Sequence, residues 1–177
     1  TSSLLAELVS AAFREDEFAV VEGDADVGHS FAALAFDHLF FTGSTAVGRK
    51  VAQAAAANLT PVTLELGGKS PAVFDATADF ASSVPRLMVG KLLNAGQTCI
   101  APDYALVPAA RLDEFIAAAT ATVQELYPQA STNPDYTSIV NARHFARLTG
   151  LLDDARSKGA RIMPLGEAGA RTDATPR

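Results

Sequence analysis

The sequence predicts an α/β protein, because short apolar runs alternate with amphipathic stretches of helical period and turns rich in glycine separate them. Strands that alternate with helices imply a parallel sheet. At 177 residues and 49% hydrophobic content, the chain has apolar material for a sizeable core and the length of one domain or parts of two.

The first helix is read from Leu4, Leu5, Leu8, Val9, Ala12 and Phe13, which share one face, with Ser2 or Ser3 offering a hydroxyl cap. A strand is expected over Phe18 to Val21, then an amphipathic helix opened by Asp26 and carrying Val27, Phe31 and Leu34. His38 to Phe41 reads as a second strand. After Thr42-Gly43-Ser44 comes a long helix, Thr45 to Asn58, followed by a buried strand from Pro61 to Leu66 that ends in Gly67-Gly68.

The rhythm continues with a strand over Ala72 to Phe74 and a helix over Phe80 to Leu93, in which Pro85 predicts a kink or a late start. A strand at Ala105 to Val107 and a helix from Arg111 to Leu126 follow. Pro128 to Tyr136 is a polar loop, Asn141 to Ser157 a last helix, and Arg161 to Met163 a short strand. The tail from Gly166 to Arg177 has little apolar content and is expected to be unanchored. There is no internal repeat.

Charge narrows the function classes. A formal net charge of -6, with the charges scattered, leaves no basic face for nucleic acid. No run approaches the roughly 18 to 20 apolar residues of a membrane span. The single cysteine cannot form an internal disulfide, and a free thiol fits a reducing, cytoplasmic setting. With no initiating Met and no basic n-region at Thr1-Ser2-Ser3, the chain is expected to be an interior stretch of a longer protein.

Three segments could carry chemistry. Cys99 follows Gly96-Gln97-Thr98 at a helix-to-loop junction, and a thiolate adds readily to carbonyl carbon. A lone cysteine is equally a small buried hydrophobe. Glu65 lies at the carboxyl end of an apolar strand, on the side where α/β folds bind ligands, and burial beside an apolar pocket would suit it to act as a general base. It can also be a plain strand-end carboxylate. Phe41-Thr42-Gly43-Ser44-Thr45-Ala46-Val47-Gly48 reads as strand, glycine turn and helix start, a phosphate cradle or an ordinary capped helix; it matches neither G-x-G-x-x-G nor a Walker lysine. His29, His38 and His144 are far apart and no second cysteine exists, so no metal site is expected. No G-x-S-x-G elbow occurs.

Phe41-Thr42-Gly43-Ser44-Thr45, Leu64-Glu65-Leu66-Gly67-Gly68-Lys69-Ser70-Pro71 and Asn94-Ala95-Gly96-Gln97-Thr98-Cys99 together resemble, in order and spacing, the motifs of the aldehyde dehydrogenase superfamily. The resemblance covers essentially the whole chain. Ile100-Ala101-Pro102-Asp103-Tyr104 is similar to the branch that includes coniferyl aldehyde dehydrogenases and the class 3 aromatic and fatty aldehyde enzymes.

The resemblance implies that Cys99 attacks an aromatic aldehyde, such as coniferyl aldehyde, or a long-chain one. Hydride then passes to NAD or NADP, and Glu65 activates the water that releases a carboxylic acid. It also implies that Gly43 and Ser44 lie near the cofactor pyrophosphate, and Leu66 and Gly67 near the nicotinamide through backbone atoms. On the same basis residues 1–66 are expected to form the later part of a Rossmann-like dinucleotide-binding domain and residues 67–177 the first part of a catalytic domain.

The family's upstream oxyanion-hole asparagine, its ribose-binding lysine and its downstream Glu-Phe-Gly segment are missing from these residues. The stretch alone is therefore expected to be inactive, while the full-length parent is expected to be a homo-oligomer. A non-catalytic remnant of the same family is the competing reading, and thioester transfer to coenzyme A or phosphate is a runner-up against which Glu65 argues.

Overall fold

The computed structural model describes residues 1–130 and 132–166. Two pairs of parallel strands organise them, one in each of two units, Thr1–Gly67 and Gly68 onward. The α/β class is thus present in both units, as short parallel pairs with helices between the strands.

In the first unit α1 (Ser2–Ala12) starts at Thr1, with no side chain capping it, and buries Val9. The serine cap expected for this helix does not form. Asp24 caps α2 (Ala25–Ala32), its carboxylate accepting from the N–H groups of Asp26 and Val27 at 3.0 and 3.3 Å. Next come β1 (Leu39–Gly43), α3 (Thr45–Ala56) and β2 (Val62–Leu66). The strands pair in parallel from Leu39↔Val62 to Gly43↔Leu66, and α3 makes the crossover. Ala32, Leu39 and Val51 form the buried centre, with Phe36, Phe41, Ala54 and Val62 against it. Two long-range bonds close the unit: Asn58 Nδ2 donates to the Ala33 carbonyl at 2.7 Å, and Thr60 Oγ1 to that of Phe36 at 3.0 Å.

The second unit contains β3 (Ser70–Val73), α4 (Phe80–Leu92), β4 (Pro102–Leu106), α5 (Leu112–Leu126) and α6 (Ala142–Ser157). β3 and β4 run parallel, with a register shift between Ser70 and Pro71. Phe80, Val84 and Met88 recur every fourth residue along α4, which sets them on one face, and they bury against Ala119 and Val123 of α5. Phe74, Phe80 and Phe115 meet edge to face, with centroids 5.4 to 5.9 Å apart.

α4 does not start late. Asp79 caps it, accepting from the Ala81 N–H at 3.1 Å, and Pro85 sits within the helix. Arg111 stitches the ends of these elements together. Its guanidinium makes a two-pronged bond to Glu114 at 2.9 and 2.8 Å, donates to the carbonyls of Ala76 and Ala78, and lies 4.0 Å from the Phe80 ring centroid. That bond holds the Glu114 carboxyl below its ordinary pKa. Asn141 caps α6 through the His144 N–H at 2.9 Å.

Two expected strands are absent. Phe18 to Val21 and Arg161 to Met163 are irregular backbone, because an apolar run becomes a strand only beside a ladder partner, and no strand pairs with either among the described residues. Phe18 instead sets its ring against Phe13, with centroids 5.5 Å apart. The expectation of an unanchored tail falls, after the exposed Gly166, outside the described residues.

Candidate active site

The first cluster sits at the carboxyl ends of β1 and β2. Their register sets Thr42 opposite Glu65 and Gly43 opposite Leu66, so Gly43, Ser44, Glu65, Leu66 and Gly67 converge where parallel sheets present ligand sites. Gly43 leaves room for the Phe41 ring: a Cβ there would stand 2.5 Å from Cζ of Phe41, so the ring would have to turn aside. Ser44 then caps α3, its Oγ accepting from the Val47 N–H at 3.3 Å while its carbonyl accepts from Gly48 at 2.8 Å. The open N–H groups and positive dipole of this first turn suit an anionic ligand.

α3 also lies close against β2. A Cβ on Gly48 would come within 2.7 Å of Leu66 Cδ2. With its side chain turned to α3, Leu66 can offer a ligand its backbone, and the exposed Gly67 has no atom within 4 Å of a would-be Cβ. These features fit the phosphate and ring ends of a dinucleotide.

Glu65 departs from expectation. Its side chain is exposed, whereas Val62, Thr63, Leu64 and Leu66 are all half-buried, so Glu65 is the one exposed residue of β2. No apolar pocket encloses it in the first unit.

Cys99 belongs to the second unit, on the turn between the end of α4 and β4, with its thiol exposed. Within these residues it is not packed as a small buried hydrophobe. Before it, Asn94, Ala95 and Gly96 all take left-handed backbone, with φ of 53, 55 and 75°. Only the glycine adopts this freely. Gln97 ties the turn down, donating to the Asn94 and Ser138 carbonyls and accepting from the Val140 N–H. Gly68 supports it from below: a Cβ there would be 3.3 Å from the Cys99 carbonyl oxygen. The ion pair between Lys69, just before β3, and Asp103 of β4, at 2.6 Å, joins the two strands at their starts. No hydrogen bond among the described residues engages the Cys99 N–H, which leaves it open to an oxyanion.

The sequence gives Gln97 no role beyond its place in a motif, and it does not indicate the packing of Gly48 on Leu66 or of Gly68 under the Cys99 carbonyl. The Gly48 contact with Leu66 and the partners of Gln97 at Ser138 and Val140 are tertiary and carry no sequence signal.

His38 Nε2, just before β1, lies 3.0 Å from Thr63 Oγ1 of β2. Among the described residues no three His, Cys, Asp or Glu side chains gather as metal ligands, and no helix is long and apolar enough to cross a membrane.

Comparison with known proteins gives a consistent result. A model of the aldehyde dehydrogenase family matches residues 1–175. A probable coniferyl aldehyde dehydrogenase of Pseudomonas aeruginosa is 54% identical over 165 residues, covering 93% of this chain and 35% of the relative. Among solved structures, the substrate-bound state of Staphylococcus aureus AldH superposes with a TM-score of 0.83 at 43% identity, covering 88% of this chain and 34% of that one. Mycobacterium tuberculosis aldehyde dehydrogenase complexed with NAD+ gives 0.79 at 32% identity, covering 90% and 34%. The chain spans about a third of the length of the curated relatives it matches.

Proposed function

The chain belongs to the aldehyde dehydrogenase family, and we propose that the protein carrying it oxidises an aldehyde to a carboxylic acid through Cys99, with NAD or NADP as acceptor. The observation that carries this reading is the exposed Cys99 thiol on a turn whose backbone is held by long-range bonds. Cys99 Sγ, as thiolate, forms a bond to the aldehyde carbon, and the carbonyl π pair moves to oxygen beside the Cys99 N–H. As the C=O re-forms, the C–H bond breaks with its electron pair, leaving Cys99 acylated as a thioester.

A nicotinamide dinucleotide, when bound, supplies the acceptor for that hydride. Gly43 and Ser44 would receive its pyrophosphate at the start of α3, and Leu66 and Gly67 would offer backbone atoms near its ring. Glu65 takes a proton from water, the resulting hydroxide adds to the thioester carbon, and the C–S bond breaks to restore the Cys99 thiolate. The exposure of Glu65 supports this role to the extent that water reaches it.

An aromatic aldehyde such as coniferyl aldehyde is the proposed substrate, supported by the relative named for that activity; a long-chain aldehyde is the second choice. Residues 1–66 serve as part of the dinucleotide-binding domain and 67–177 as part of the catalytic one. The full-length protein is proposed to be a cytoplasmic homo-oligomer.

In the full-length protein Glu65→Gln should keep the first burst of reduced nicotinamide and slow steady turnover by about 10²- to 10⁴-fold. Equal loss in both phases would remove Glu65 from deacylation. A polypeptide of these 177 residues alone is expected to form no reduced nicotinamide from aldehyde, and robust turnover by it would refute the proposal that the rest of the enzyme is needed. Alkylation of Cys99 no faster than a small-molecule thiol at neutral pH would favour a non-catalytic remnant.

A further inference from the structure

Gln97 stands two residues before Cys99, and every polar atom of its carboxamide is engaged. Nε2 donates to the Asn94 carbonyl at 3.0 Å and to the Ser138 carbonyl at 3.1 Å. Oε1 accepts from the Val140 N–H at 2.9 Å. The main chain adds to the same knot: the Gln97 N–H donates to the Asn94 carbonyl at 3.1 Å, and Asn94 Nδ2 to the Gln97 carbonyl at 3.2 Å. A planar amide with both donors and its acceptor in use has its orientation fixed in three directions.

What this knot secures is unusual backbone. Asn94 and Ala95 have positive φ without being glycine, a conformation that persists where surroundings over-determine it. Ser138 and Val140 come from a segment more than forty residues downstream, so the amide anchors the turn to a distant part of the unit and not merely to itself. A displacement of about 1 Å at a reacting atom can lower a rate by about 10²-fold.

We infer that Gln97 is a positioning residue for Cys99, its carboxamide clamping the left-handed turn onto the Ser138–Val140 segment and so fixing the point from which the thiol attacks. This rests on the reading of Cys99 as nucleophile. Gln97 does not itself touch the reacting atoms.

The test uses the full-length protein and the burst of reduced nicotinamide, read as a rate constant and as an amplitude per subunit. Gln97→Met keeps the side-chain length and removes all three bonds. The burst rate constant should fall by about 10²-fold while the amplitude stays near that of the unaltered protein. A smaller amplitude at unchanged rate constant would mean fewer folded molecules and overturn the proposal, as would no change in either.

Gln97→Glu is the second variant. Its carboxyl keeps an acceptor for Val140 and, once protonated, regains one donor, so its burst rate relative to the unaltered protein should recover as pH falls through the carboxyl pKa. A pH-independent deficit would overturn the proposal, and so would insoluble protein from both variants, which would assign Gln97 to folding. Cys99→Ala separates the two readings. If it retains aldehyde oxidation, the nucleophile assignment fails; if it abolishes oxidation while Gln97→Met keeps the normal burst rate, only the positioning role fails.

Discussion

The two turns that bear the candidate chemistry are held by opposite means. The Gly43–Ser44 turn is secured by near neighbours: Ser44 caps its own helix three residues on, and Gly43 makes room for the ring of Phe41. The Cys99 turn follows backbone that its own residues do not favour and, beyond the local Asn94–Gln97 bonds, is secured by groups 41 and 43 residues from Gln97. A capped helix start is a self-sufficient local structure, able to form wherever strand and helix meet. The nucleophile turn is conditional on its partner segment being in place.

Substitutions that bear unequally on the two turns would break or sharpen this contrast. The largest effect is expected at Gly48, where a side chain meets Leu66 at 2.7 Å and Phe41 at 3.5 Å. Gly48→Val should cost about 1 to 3 kcal/mol by overpacking, seen as a lower denaturant midpoint; an unchanged midpoint would mean that α3 can draw back from β2. Ser44→Ala should cost about 1 kcal/mol through the lost cap. Ser44→Gly should cost only a few tenths, and similar losses from the two would show that the hydroxyl bond to Val47 contributes little.

Another small effect has the opposite sign. Ala95→Gly relieves a left-handed conformation that costs about 1 to 2 kcal/mol for a residue with a Cβ, offset by about 0.5 to 1 kcal/mol of added chain entropy when unfolded. A net gain of about 0.5 kcal/mol in unfolding free energy is expected. A loss would mean that the methyl group packs usefully and that the turn is less strained than its φ of 55° implies.

The same contrast explains what the sequence disclosed. The helices were readable because their apolar residues recur at helical period, while the capping roles of Asp79 and Asn141 emerge only in the structure. The β1–α3–β2 crossover was readable because strand, glycine, hydroxyl cap and helix follow one another along the chain. Phe18 to Val21 and Arg161 to Met163 were misread as strands, since apolar composition says nothing about whether a ladder partner lies alongside.

For Glu65 the sequence leaves a base beside an apolar pocket and a plain strand-end carboxylate both open, and the side chain is exposed. Cys99 and Glu65 were singled out by residue type and motif. The Gln97 contacts to Ser138 and Val140 could not be, because bonds across so many residues are set by tertiary folding.

The pairing of β1 with β2 also bears on which insertions and deletions the protein can absorb. The Ala57–Pro61 bend between α3 and β2 is irregular, and its Leu59 is 91% exposed with a positive φ. Length changes at its Leu59 tip would alter a surface bend, provided that Asn58 and the buried Thr60 keep their bonds to Ala33 and Phe36. A single deletion inside Leu39–Gly43 or Val62–Leu66 acts differently, since side chains alternate across a strand and every residue beyond the deletion changes face. Glu65 would turn toward the side that Leu64 and Leu66 now occupy, and a leucine would take its outward place. Drift in chain length should therefore be found in the bend, while the two five-residue strands keep their count.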